Sequence, residues 1–86
     1  MLSSNEISHL LNNYSEILVG KRAVLKAVAL GKIKCVVLAD DVDANILRDI
    51  TMACLDKGVK IYGCESKQLL GKLAGIDVAC ACVGLF

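Results

Sequence analysis

Apolar side chains recur at helical spacing from the start of the chain: Ile7, Leu10, Leu11 and Tyr14 fall at i, i+3, i+4 and i+7, which predicts an amphipathic helix. Ser3 followed by Glu6 is the capping-box signature that opens it. His9, the single histidine, falls off the stripe and reads as a solvated side chain rather than a base or ligand. A short apolar piece, Ile17 to Val19, leads into a second helical pattern from Lys21 to about Leu30, stopped by Gly31. The run "CVVLA" is apolar throughout and rich in β-branched residues, as a central strand covered on both faces must be. Asp43 then opens a longer helix whose expected core face is Ile46, Leu47, Ile50, Ala53 and Cys54, and Lys57 and Gly58 close it. "VKIYG" alternates apolar and polar and predicts a less buried strand. Ser66 caps a fourth helix with Leu69, Leu70 and Leu73, Gly75 ends it, and "DVACACVGLF" predicts another buried strand.

Helix and strand thus alternate four times, joined by a few residues each time. The expected fold is α/β: one domain over residues 1–86, a three-layer α/β/α sandwich in which helices cover both faces of a four-stranded mixed sheet. No linker, internal repeat or low-complexity segment interrupts it.

Composition narrows this little further. The chain has 86 residues, no Pro, few aromatics and 56% apolar residues, which suits one small α/β core. No apolar run approaches the ~20 residues that span a bilayer. The N-terminus lacks the basic start and apolar run of a signal peptide, so the expected location is the cytoplasm, with no membrane partner. Cys35, Cys54, Cys64, Cys80 and Cys82 are odd in number and lack CxxC spacing, which argues against a disulfide framework or a zinc site. They read as small buried hydrophobes in a reducing compartment. The alternative is that Cys80 and Cys82 share one strand face and bind a soft metal, but no His stands near them. No metal or cofactor is expected.

Charge changes the picture more. The net charge is only +1, but between Glu16 and Asp40 every charge is positive: Lys21, Arg22, Lys26, Lys32 and Lys34. The second helix therefore begins, in "GKRAVLKAV", with two cations and no capping side chain, although a helix N-terminus favours acids and capping residues. Arg22 and Lys26 also place like charges at i, i+4. An anion would repair both defects: the helix start offers unpaired N–H groups, Gly20 permits close approach, and Lys21, Arg22 and Lys26 supply charge. The bland alternative is a solvated basic turn that binds nothing. "GKRAVLK" is neither a P-loop nor GxGxxG, which argues against a small phosphorylated metabolite. A polyanion suits the site better, with Lys32, Lys34, Lys67 and Lys72 widening the positive surface. Tyr14, Tyr62 and Phe86 are too few and scattered to stack single-stranded bases, so recognition would go through nucleic-acid shape and backbone.

Across nearly the whole chain, "LVGKRAVLKAVALGKIKCVVLADD", "ESKQLLGKLAGIDVACACV" and the helix between them resemble the ribosomal protein L-seven-Ae / L-thirty-e family, in particular its short stand-alone bacterial members. The most specific signals are Gly20 and Lys26 in Gly-x-x-x-x-x-Lys, the strand followed by Asp41, and Ser66-Lys67 with Leu70-Gly71 and Gly75-Ile76. The resemblance implies an α/β/α sandwich that binds kink-turn RNA, a sharply bent duplex with tandem sheared G·A pairs. It puts Gly20 at the close backbone approach and Lys26 at an RNA contact, with Lys21 and Arg22 beside them. Arg22 falls where ribosomal members use Asn and several bacterial ones Lys, and Ala23 where they use Glu or Gln. Asp43, Leu47 and Lys67 would surround an extruded nucleotide, and the loop Gly75, Ile76, Asp77, Val78 and Ala79 would rest on exposed bases at the kink. Arg22 can still donate two hydrogen bonds to guanine, whereas Ala23 can neither donate nor accept, so selectivity should be weaker than in the ribosomal members.

The leading expectation is a non-enzymatic, monomeric RNA-binding protein that recognises a kink-turn or similar bent RNA, in the ribosome or in a riboswitch. The alternative is a protein-interaction module on the same fold, for which Ala23 and the modest net charge speak. No nucleophile and base can be assembled from these residues, and Asp40, Asp41 and Asp43 have a simpler place at a helix N-terminus, so an enzyme is not expected.

Overall fold

Helix and strand follow one another in strict alternation in the computed structural model, which describes residues 1–86: α1 (Ser4–Asn12), β1 (Ile17–Val19), α2 (Lys21–Ala29), β2 (Cys35–Ala39), α3 (Ala44–Lys57), β3 (Lys60–Cys64), α4 (Lys67–Leu73) and β4 (Cys82–Leu85). The local chemistry accounts for most of these boundaries. Ser3 Oγ accepts the Glu6 N–H and Glu6 reaches back to the Ser3 N–H, so the capping box at α1 is complete. That hydrogen bond from the Ser3 backbone holds the Glu6 carboxyl below its ordinary range. Gly58 ends α3 in the left-handed conformation.

The sheet order is β1-β4-β2-β3. β2 and β3 run parallel, and β4 enters between β1 and β2 antiparallel to both, so the sheet is mixed as expected. All residues of β2 and β4 are buried, while β3 is largely half-buried at an edge. The chain start protects that edge: the Leu2 N–H donates to the Gly63 carbonyl at 3.0 Å.

Helices cover both faces and divide the core in two. On one side Ile7 and Leu11 of α1 and Leu70 of α4 pack on Val37, Val83 and Leu85. On the other, Val24, Ala27 and Val28 of α2 and Ile50 and Cys54 of α3 pack on Val36, Leu38 and Cys82. Two sequence expectations change here. Leu47 is not on the α3 core face but is 47% exposed, because Ile46, Ile50, Ala53 and Cys54 already fill the stripe that meets the sheet. Cys80 and Cys82 face opposite sides of the sheet, Cys80 with the α1/α4 core and Cys82 with the α2/α3 core, because Cys80 precedes the strand and breaks its alternation. All five thiols are free and buried. Burial, the largest cause, pushes the Cys82 thiol up to about 12, so it stays protonated and packs as an apolar group.

Gly71 sits buried in α4, and the loop after the helix folds back across it. The Ile76 N–H donates to the Gly71 carbonyl at 3.0 Å, and Gly75, with φ of 79°, makes the turn. A methyl group at Gly71 would run into the Val78 carbonyl, which is backbone. A methyl group at Gly84 meets only the tip of Ile33, at 2.8 Å. Gly71→Ala should therefore lose about 1–3 kcal/mol in urea unfolding, as overpacking does, and Gly84→Ala less because Ile33 can turn away. Equal losses would show that the 75–79 loop yields as readily as a side chain.

Candidate nucleic-acid interface

Three helices start from one edge of the sheet. α2, α3 and α4 follow β1, β2 and β3, and the C-terminal ends of those strands lie level with the start of β4. Main-chain bonds tie this edge together: Gly20 N–H to the Cys82 carbonyl at 3.1 Å, Ala39 N–H to Ala81 at 2.9 Å, and Asp40 N–H to Cys64 at 2.8 Å. The positive ends of three helix dipoles converge there, the arrangement that makes the carboxyl ends of such strands a binding edge.

At α2 the cap is Gly20, with φ of 101° and ψ of 155°, a conformation essentially restricted to glycine. No side chain caps the helix, and a Cβ at Gly20 would meet nothing within 4 Å, so the first turn lies open to a ligand. The three cations behind it are not equivalent. Lys21 is half-buried and its ammonium bonds Asp49 of α3 at 2.8 Å, so its charge is matched within the protein. Arg22 is exposed and forms no ion pair. Lys26, also exposed and unpaired, sits in the last turn, where it complements the C-terminal end of the dipole instead of crowding the start.

The α3 and α4 starts are joined by an acid. Asp41 Oδ1 accepts the Lys67 N–H at 2.8 Å, and Ser66 Oγ accepts the Leu69 N–H at 3.1 Å, so the two side chains together cap α4. The Cys80 N–H returns to the Lys67 carbonyl at 3.0 Å, fixing the far end of the 75–81 loop. An open groove of about 820 Å³ lies between that loop and α4, lined by Leu69, Lys72, Ile76 and Val78 among others, and Val78 is 69% exposed. Asp77 and Ala79 are exposed on the same loop.

Gly20, Lys21, Arg22, Asp43, Leu47, Lys67 and the residues Gly75 to Ala79 thus gather at one end of the sheet, with Lys26 further down α2. Asp43 occupies the N-cap position of α3, but its carboxylate accepts no hydrogen bond from the helix, so its capping role is not made. Lys32 and Lys34 do not widen this surface: the Lys34 N–H bonds the Leu85 carbonyl at the other end of β4. Sequence reading missed Asp49, since nothing in a local pattern pairs it with a residue on another helix. The capping role of Asp41 was hidden for the same reason.

The sequence matches the ribosomal protein L7Ae/L30e/S12e/Gadd45 family over residues 3–86. It is 38% identical over 63 residues to an RNA-binding protein of Caldanaerobacter subterraneus subsp. tengcongensis, covering 73% of this chain and 77% of that one. An RNA-binding protein of Bacillus pumilus is 33% identical over 69 residues, covering 80% and 84% respectively. Among solved structures, the Giardia lamblia 15.5-kD RNA binding protein superposes with a TM-score of 0.80 at 30% identity, over 95% of this chain and 68% of that one. A protein of unknown function from Bacillus halodurans shares the fold at a TM-score of 0.82 and 20% identity, over 99% of this chain and 85% of that one.

The Lys21–Asp49 pair has a pH signature. The hydrogen bond from Lys21 is the largest cause holding the Asp49 carboxyl below its ordinary 3.8, with further attraction from Lys21 and Arg48. A carboxyl lowered on folding contributes stability above its unfolded value and loses it as pH falls through the folded one. The Tm difference between wild type and Asp49→Asn should therefore be present at neutral pH and close below pH 3.8. A gap independent of pH would mean that the pair does not act through charge.

Proposed function

The chain belongs to the ribosomal protein L7Ae/L30e/S12e/Gadd45 family, and we propose that it is a non-enzymatic RNA-binding protein that acts as a monomer on kink-turn or similarly bent RNA. The observation that carries this reading is the exposed, unpaired Arg22 on the uncapped first turn of α2, beneath open space at Gly20. A helix start of that kind attracts phosphate, and a guanidinium beside it can reach the O6 and N7 of guanine. The RNA-binding relatives point the same way.

In this reading Gly20 lets the RNA backbone close on the helix start and Arg22 reads a guanine of the G·A step. Lys26 and Lys67 neutralise phosphates on either side. Asp43 at the N-cap of α3 and Leu47 on its first turn, both exposed, flank an extruded nucleotide together with Lys67. Val78 offers apolar surface to the unstacked bases, backed by the half-buried Ile76, with Asp77 and Ala79 exposed on the same loop. Ala23 supplies no polar reader, so Arg22 carries most of the discrimination. The bacterial ribosome, a riboswitch and other structured RNAs of the cytoplasm are all candidate targets for such a site.

The test is a titration of fluorescent kink-turn RNA against a control in which the G·A pairs become Watson–Crick pairs. Wild type should prefer the kink-turn, and Arg22→Ala should lose about 1–3 kcal/mol of that preference, the value of a good bidentate base contact. Equal binding to both RNAs, or none, would refute the reading and leave a protein partner as the alternative, to be sought by pull-down after nuclease treatment. Val78→Ser should weaken binding by a similar factor at every salt concentration, because it removes apolar contact. Lys67→Met should flatten the salt dependence by about one phosphate's share. Identical salt slopes for those two variants would break the assignment of their roles.

A further inference from the structure

The ion pair between α2 and α3 lies directly behind the open helix start. Lys21 Nζ is 2.8 Å from Asp49 Oδ2, with the two side chains 34% and 36% exposed. The other oxygen of Asp49 accepts from Nε and Nη2 of Arg48, each at 3.4 Å. One carboxylate therefore stands among cations of both helices. Lys21 follows Gly20 immediately, so its ammonium belongs to the residue nearest the uncapped turn, where a phosphate is attracted most strongly. It is turned to α3 instead.

We infer that Asp49 is a specificity-determining residue of this edge, withholding Lys21 from RNA phosphates so that Arg22 remains the contact that discriminates. The inference rests on the RNA-binding reading above. Phosphate contacts raise affinity for every RNA and carry no sequence information, while base contacts do. A free Lys21 would strengthen binding to bent and regular RNA alike and dilute the preference that Arg22 confers. The charge pattern fits this economy: Lys21 is tied, Arg22 beside it is free, and Ala23 leaves no second reader.

The experiment measures Kd for kink-turn RNA and for the Watson–Crick control across about a fourfold range of salt, a range over which each neutralised phosphate changes affinity about 3.5-fold. The proteins are wild type, Asp49→Asn, Lys21→Met, the double variant, and Asp56→Asn, which removes an exposed acid from the same helix. Asp49→Asn should bind the control RNA more tightly, lower the kink-turn preference several-fold, and steepen the salt slope for both RNAs by about 0.9. The double variant should return to the wild-type slope, and Lys21→Met alone should not leave it. Asp56→Asn should change nothing.

An unchanged slope for Asp49→Asn in a protein that still prefers the kink-turn overturns this inference and spares the RNA-binding reading. So does a flatter slope for Lys21→Met alone, which would mean that Lys21 already leaves Asp49 for phosphate. A steeper slope for Asp56→Asn equal to that of Asp49→Asn overturns it too, by reducing the effect to net charge. Failure of wild type to bind either RNA refutes the reading itself and this inference with it.

Discussion

The placement of β4 is the constraint on which the rest depends. This last strand is buried along its length and lies between β1 and β2, antiparallel to each. A strand in that position must satisfy its backbone on both sides, since a buried unpaired amide or carbonyl costs as much as a lost hydrogen bond. Its start therefore meets the ends of β1 and β2, through the Cys82 carbonyl with Gly20 and the Ala81 carbonyl with Ala39. Those bonds bring the beginnings of α2 and α3 to one edge, and the parallel β2–β3 pair brings α4 beside them. An edge assembled from four distant segments follows from where one strand is inserted.

The same edge explains which features could be read along the chain and which could not. Local devices were legible because their partners lie within one turn: Ser3 with Glu6, Ser66 with Leu69, Gly58 at the end of α3. β2 was legible because a strand covered on both faces has no polar side to show. Leu47 misled because a helix stripe read from spacing alone is wider than the surface that actually meets the sheet. Lys32 and Lys34 misled because nearness in sequence to Arg22 spans the full length of α2, about 13 Å for nine residues, and ends at the other side of the domain. The resemblance pointed to residues that the fold brings to this edge, but the pairings that shape its charge, Lys21 with Asp49 and Asp41 with the Lys67 N–H, cross between elements. No local pattern encodes such pairs.

Near neutrality is informative in this light. A protein of net charge +1 gains little from long-range attraction to a polyanion, so its positive groups must act where they stand. The segments that meet at this edge carry the exposed acids Asp40, Asp41, Asp43 and Asp77 as well as the cations Arg22 and Lys67. Under the proposed function, such a surface would hold arbitrary RNA poorly and would depend on shape and on the few cations left free. Lys21, tied to Asp49, is not among the free ones.

Backbone contacts set most of the geometry of the edge, and of Arg22, Ala23, Ile76 and Val78 only Ile76 also packs against the core. Gly20 is placed by its own N–H and by a conformation that needs no Cβ, and the 75–79 loop is placed by Gly71, Gly75 and the Cys80 N–H. None of these contacts involves the side chains of Arg22, Ala23, Ile76 or Val78. The backbone can therefore present one shape while the readers on it change, which is how Ala23 can stand where a polar reader would sit without loss of the fold. On the proposed function, differences in what such an edge recognises would then be carried by side-chain chemistry at positions 22, 23 and 78 and by which cations their neighbours restrain. Asp49 enters the proposed recognition on that ground, although it lies on α3 and Arg22 on α2.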